Sequence, residues 1–135
     1  MSPTGKVRFY QLASLASMPQ YYSMPVQELT EFDFHPILAA SAGISLVMFS
    51  GPDCGVCRHL ETILPELTHD LPSHLYKVNA QKSTALARAY DVFHLPSLFV
   101  FVDGHYHGPL HTELTRAKFL PAMKALLTSP PQEEP

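Results

Sequence analysis

"FSGPDCGVCRHLETILPELT", residues 49–68, holds both cysteines of a 135-residue chain, separated by Gly55 and Val56. Just upstream, "GISLVMFS" is a continuous apolar run introduced by a glycine, the pattern of a strand covered on both faces. Past the second cysteine, Leu60, Leu64 and Leu67 recur at the spacing of a core-facing helix. The cysteines therefore stand where a central strand hands over to a helix. Three readings are open at this point: a working dithiol, part of a metal site, or two buried small side chains.

Position favours the first. The end of a strand in an α/β sheet is a common place for reactive groups. A cysteine in the first helical turn lies near unpaired backbone N–H groups, whose partial positive charge favours thiolate over thiol. Cys54 is thus the attacking sulfur. Cys57 sits about one turn deeper and is near enough to attack a mixed disulfide on Cys54, releasing the partner by intramolecular exchange. Gly55 lets the chain turn without a side-chain clash, and the stiff Val56 offers an apolar lip to an incoming chain. Structural zinc needs further ligands, whereas the eight histidines are scattered and no second CxxC follows. His105, His107 and His111 share one strand parity, but solvent-facing strand polarity explains them more simply, and no metal is expected.

Working outward, residues 26–29 predict a short strand, and Thr30 with Asp33 forms a partial capping box ahead of a helix that Pro36 restricts. Residues 75–78 read as the next strand. "STALARAYDV" adds a short helix with Ser83 as cap, and "SLFVFVDGHYHGPLH" reads as two strands joined at Asp103-Gly104, a strong hairpin signal. A last helix is capped by Thr115 and carries Phe119, Leu120, Met123, Leu126 and Leu127 as its apolar stripe, with Pro121 implying a kink or a later start. The order β-α-β-α-β-α-β-β-α is that of an α/β fold with a mixed sheet and helices on both faces. Residues 1–22 form an N-terminal extension of uncertain order, residues 23–128 the folding unit, and "SPPQEEP" a flexible tail over residues 129–135.

Composition excludes several function classes. Nine Lys and Arg against twelve Asp and Glu give a formal charge of −3 without a basic block, so nucleic acid is not an expected partner. No apolar run reaches the roughly 18 residues of a membrane span. Lys6 and Arg8 precede "FYQLASLASM", but Gln and Ser dilute that segment too much for a good cleaved leader, and the cytoplasm is the expected location. With 46% apolar residues the chain supplies its own core, so two cysteines are not needed as a staple.

The stretch "ISLVMFSGPDCGVCRHLETILPEL", followed by "LYKVNAQKSTALARAYDVFHLPSLFVFVDGHYHG", resembles the thioredoxin superfamily over roughly residues 24–128. The resemblance implies a thioredoxin-like fold, with Cys54 as nucleophile and Cys57 as resolving cysteine. It also implies a cis proline at Pro96, which holds Leu95 and its backbone close to the dithiol for strand-like contacts with substrate. Departures from the family pattern are informative. Asp53 stands where the family usually has tryptophan, and its charge opposes thiolate formation unless it caps the helix. Met48 replaces a buried acid that accepts the proton of the resolving cysteine, so that this thiol must lose its proton to water, to the leaving sulfur, or to Lys77, in the place of a family lysine, as proton-transfer support. Thr112 replaces a glycine bordering the dithiol, and His94, two residues before Pro96, reaches toward the same rim. Thr62 stands in place of a helix proline, with Pro65 three residues further on.

These residues imply a thiol–disulfide oxidoreductase acting on protein disulfides or dithiols, with no cofactor beyond its own cysteines and with a thioredoxin reductase or glutathione-linked system as donor. A noncatalytic chaperone or partner-binding module on the same frame is the alternative, and a redox-switched binding protein a third. Redox direction and oligomeric state are left open by the sequence.

Overall fold

The computed structural model of the protein describes residues 25–68 and 71–135. The extension expected over residues 1–22 lies outside the described residues. Among the described residues nine elements follow in the predicted order: β1 (Val26–Leu29), α1 (Phe34–Ala40), β2 (Ile44–Ser50), α2 (Gly55–Thr68), β3 (His74–Asn79), α3 (Thr84–Ala89), β4 (Ser97–Val102), β5 (His105–Leu110) and α4 (Arg116–Thr128). The strands form one sheet in the order β1-β3-β2-β4-β5. β3 pairs in parallel with β1 and β2, while β4 pairs antiparallel with β2 and β5. The apolar run of residues 44–50 is therefore the middle strand, and residues 46–49 are buried on both faces.

Strand alternation divides the core in two. On one face Val47, Phe49, Val78 and Phe99 meet Phe34 and Leu38 of α1 and Leu86 of α3. Phe34 joins an aromatic cluster here, with its ring 5.6 Å from Tyr90 and 5.9 Å from Phe101 by centroid, distances at which aromatic pairs add to plain burial. On the other face Leu46, Met48, Leu75 and Val100 meet Leu60 and Leu64 of α2 and Phe119 and Met123 of α4. Each fully buried side chain of this kind contributes roughly 1.5–3 kcal/mol, and the two layers clamp the middle strand so that its C-terminal end is held in a defined place.

Turn chemistry accounts for the joins. Asp103 and Gly104 both have positive φ, +51° and +81°, as a tight two-residue hairpin requires. The hairpin is pinned from outside: Asp103 N–H donates to Gly43 O at 2.8 Å, and Gly43 N–H donates to the Asp103 carboxylate at 2.7 Å. Thr30 N–H donates to Asp33 Oδ1 at 2.6 Å, as the capping pattern predicts, but residues 31–33 form turns and α1 starts only at Phe34, with Pro36 in its first turn, where its missing N–H costs nothing. Ser83 and Thr115 occupy the cap positions without a side-chain cap hydrogen bond. Ahead of α3 it is Asn79 Oδ1 that accepts the N–H groups of Gln81 and Lys82, at 2.9 and 3.1 Å. α4 begins at Arg116 with Pro121 inside it, so the start is not delayed. Packing of Phe119 and Met123 outweighs the one backbone hydrogen bond that proline removes.

One reading of the C-terminal part is corrected. His107 is not solvent-facing: it is 7% exposed, and its Nε2 lies 2.9 Å from the carbonyl oxygens of both Leu126 and Ser129. Since both partners are acceptors, Nε2 carries the proton and closes the end of α4. The register passes from Val100↔Gly108 to Phe101↔Tyr106, leaving His107 as the extra residue of a bulge, which breaks the parity that linked it with His111. Beyond α4, Gln132 N–H donates to His107 O at 2.9 Å and the Tyr90 hydroxyl donates to the Glu134 carboxylate. Burial first and Glu134 second raise Tyr90 above the usual phenol pKa, and the same causes raise Tyr106.

Candidate functional site

The middle strand ends at Ser50, and Cys54 N–H donates to Gly51 O at 3.3 Å to form the turn that starts α2. Cys54 and Cys57 are disulfide-bonded with Cα atoms 5.2 Å apart. The two sulfurs are unequal in access: Cys54 is half-buried, whereas Cys57 is 2% exposed under the helix. Cys57 N–H points at Cys54 Sγ from 3.1 Å. An N–H of the first turn thus serves the outer sulfur as it would serve a capping oxygen, and in the dithiol form the same donor stabilises a thiolate there. Arg58 fastens the turn from below, its Nη1 donating to Pro52 O at 2.7 Å. Asp53 is exposed and, among the described residues, makes no capping hydrogen bond. Gly55 and Val56 lie on the exposed side of the first turn, with Val56 54% exposed.

The loop between α3 and β4 comes to the same edge. Its Leu95–Pro96 peptide bond is cis, and Ser97 Oγ donates to His94 O at 2.7 Å. Leu95 lies against the dithiol turn so closely that a Cβ placed on Gly51 would stand 3.0 Å from Leu95 Cδ1. His94 is exposed, and next to it Phe93 is 87% exposed, a large apolar side chain facing solvent beside the candidate groove. His94, Leu95, Pro96 and Thr112 line a cavity of about 590 Å³ together with Tyr106 and with Gln132 and Glu133 of the tail. The Thr112 hydroxyl lies within 3.2 Å of the carbonyl oxygens of Glu113 and Lys118, so it is spent on its own loop and the start of α4.

Lys77 lies on the opposite side of the dithiol. On β3 it is level with Met48 of β2, which is fully buried and apolar. Its Nζ meets Glu61 Oε2 on α2 at 2.7 Å, with both side chains partly exposed. This pair, with Cys57, Arg58, Asn79 and Glu28, lines a cavity of about 290 Å³. The structure thus brings Cys54, Cys57, Leu95 and Pro96 to one edge, puts Lys77 behind the inner sulfur, and places Thr112 and His94 around a neighbouring cavity. Glu61, Arg58, Gly51 and Phe93 were not singled out from sequence. Glu61 had a readable signal, being one helical turn beyond Cys57 on the same face, and Phe93 is an apolar residue amid a polar loop. Among the described residues no group of His, Cys, Asp or Glu is arranged to hold a metal, and no helix is long and apolar enough to cross a membrane.

Comparison with known proteins agrees with this geometry. The family model described as Thioredoxin matches residues 25–125. A thioredoxin from Griffithsia pacifica is 29% identical over 83 residues, covering 60% of this chain and 76% of that protein. A thioredoxin from Staphylococcus aureus strain N315 is 30% identical over 83 residues, with coverage of 60% and 78%. Among solved structures, the zinc-bound form of human ERp44 superposes with a TM-score of 0.62 at 16% identity, over 74% of this chain and 31% of that one. A designed protein superposes at 0.65 with 18% identity, covering 77% of this chain and 99% of the other. At such identities the structural likeness speaks for the fold alone, and the chain spans about a third of ERp44.

Proposed function

The chain belongs to the thioredoxin family and is a thiol–disulfide oxidoreductase for protein disulfides, and we propose that Cys54 is its attacking sulfur and Cys57 its resolving one. Starting from the dithiol form, the Cys54 thiolate attacks one sulfur of a substrate disulfide. That bond breaks, and its electron pair leaves on the second substrate sulfur, which takes a proton. Cys57 then attacks Cys54 Sγ, forming the intramolecular disulfide and expelling the first substrate sulfur as a thiol. The substrate gains two electrons and two protons, and the protein ends in the disulfide form seen in the structure. An external dithiol donor, a thioredoxin reductase or a glutathione-linked system, returns the pair to the reduced state, which suits a reducing compartment such as the cytoplasm.

The observation that carries this assignment is the asymmetry of the pair: the more accessible sulfur takes the helix N–H at 3.1 Å while its partner is buried behind it. The backbone around Leu95 and Pro96 suits an extended substrate segment beside Cys54, and Val56 on the first turn of α2 and Phe93 on the loop before Pro96 offer apolar contact. The test is trapping. Reduced Cys57→Ser protein, mixed with insulin as a disulfide substrate, accumulates an adduct on Cys54 that dithiothreitol releases, and Cys54→Ser protein accumulates none. Equal trapping on either cysteine would refute the assignment. Binding without any adduct would support the alternative of a noncatalytic module, for which the exposed Phe93 is the favouring feature.

A further inference from the structure

We propose that Glu61, oriented by Lys77, accepts the thiol proton of Cys57 when the mixed disulfide is resolved. The inference rests on the assignment of Cys57 as the resolving cysteine. A thiol is a poor nucleophile until it loses its proton, and Cys57 is 2% exposed, so bulk water has little access to it. The cavity of about 290 Å³ that Cys57 borders offers the proton a way out.

The groups around that cavity narrow the acceptor. Ser50 and Asn79 are neutral, Arg58 and Lys77 are cations that donate but do not accept, and Met48 beside Lys77 is apolar. Two carboxylates remain. Glu28 is exposed on the edge strand β1. Glu61 is partly buried and lies four residues after Cys57 on α2, so the two side chains rise from the same helix face about one turn apart. Its Oε2 is held at 2.7 Å by Lys77 Nζ, leaving the other carboxylate oxygen to take a proton, and a cavity of this size has room for a bridging water.

The step balances simply. Cys57 S–H gives its proton to Glu61, and the thiolate attacks Cys54 Sγ. The Cys54–Cys57 bond forms as the bond from Cys54 to the substrate sulfur breaks. The electron pair leaves on that substrate sulfur, which is protonated from solvent, and Glu61 later returns its proton to solvent. Lys77 is a positioning residue in this account.

Single-turnover reduction of insulin by the pre-reduced full chain tests it, with mixed-disulfide formation and substrate release timed separately by acid quench. Glu61→Gln keeps the size of the side chain and an oxygen for Lys77. It is expected to leave the formation rate unchanged and to slow release roughly 10- to 100-fold at neutral pH, at or below the low end of general-base contributions. The deficit closes at alkaline pH, where the thiol loses its proton directly to hydroxide and no base is needed. Lys77→Gln slows release by a smaller factor, and Glu28→Gln leaves it unchanged. Release by Glu61→Gln at the normal rate overturns the proposal, as does slowing by one factor at every pH, the mark of a structural role. Should Glu61→Gln not fold, normal release by Lys77→Gln overturns it instead. Failure of the parent protein to form any mixed disulfide is a different result, which sinks the cysteine assignment itself.

Discussion

Gly51→Ala is a small change whose effect should fall on the groove and not on the fold. Gly51 is outside the left-handed region, so an alanine can adopt its backbone, but the added Cβ stands 3.0 Å from Leu95 Cδ1 where ordinary contact begins at 3.4 Å. Leu95 must therefore move by about half an ångström. Because the opposing atom is the end of a flexible side chain, the overpacking cost lies near the low end of its range, about 1 kcal/mol, and the reduced freedom of the unfolded chain offsets about 0.4–1 kcal/mol of it. Net stability in denaturant unfolding is expected to stay within about 1 kcal/mol of the parent. The reaction is less tolerant, since a displacement of about 1 Å at a reacting geometry costs about 10²-fold. Half that displacement predicts a fall of roughly 3- to 10-fold in kcat/KM for insulin reduction with a dithiol donor. In a Leu95→Ala background the obstructing atom is gone, and Gly51→Ala should then cost less than about 2-fold, a coupling that the double-mutant cycle measures directly. An unchanged rate in the single variant, or the same loss in both backgrounds, would refute the view that Leu95 transmits the change.

Gly104 combines a positive φ with backbone approach, because a Cβ there would meet Leu38 O at 2.7 Å and Ala39 Cα at 2.8 Å. Gly104→Ala is expected to cost at least about 2 kcal/mol, and Gly104→Asn should not rescue it although asparagine tolerates the conformation; rescue would show that conformation alone matters. Phe34→Ala, in the aromatic cluster and fully buried, should cost about 3–5 kcal/mol in denaturant unfolding and Phe34→Leu under about 1.5 kcal/mol; equal costs would mean that the site does not require ring volume. Burial and Glu134 hold Tyr90 and Tyr106 protonated above the usual phenol range, so the folded state binds more protons than the unfolded one once pH passes about 10. The stability from this source is fully present below that pH and declines above it, and Tyr90→Phe should flatten the decline in unfolding measured from neutral to alkaline pH.

Much of the fold was legible along the chain because its signals are local. The apolar run at residues 44–50, the leucine stripe of α2, the Asp103-Gly104 turn and the strand-to-helix position of Cys54 each follow from spacing within a few residues, which periodicity and turn chemistry report. Register is different. The bulge that buries His107 is one inserted residue in a pairing between β4 and β5, and alternation along β5 alone predicts the opposite exposure. The tail likewise carries no apolar pattern, and its hydrogen bonds to His107 and Tyr90 depend on where those residues emerge from the sheet.

For the site, sequence alone determined the cysteine pair and its place at the head of a helix, while the proline expected beside it followed from the family resemblance. Tertiary structure decided which side chains meet it. Leu95 reaches Gly51, and Lys77 finds Glu61 across the cavity behind Cys57, because β2 lies between β3 and β4 in the sheet while α2 crosses one of its faces. Such contacts join residues far apart in the chain, and only the packing of both sheet faces selects them.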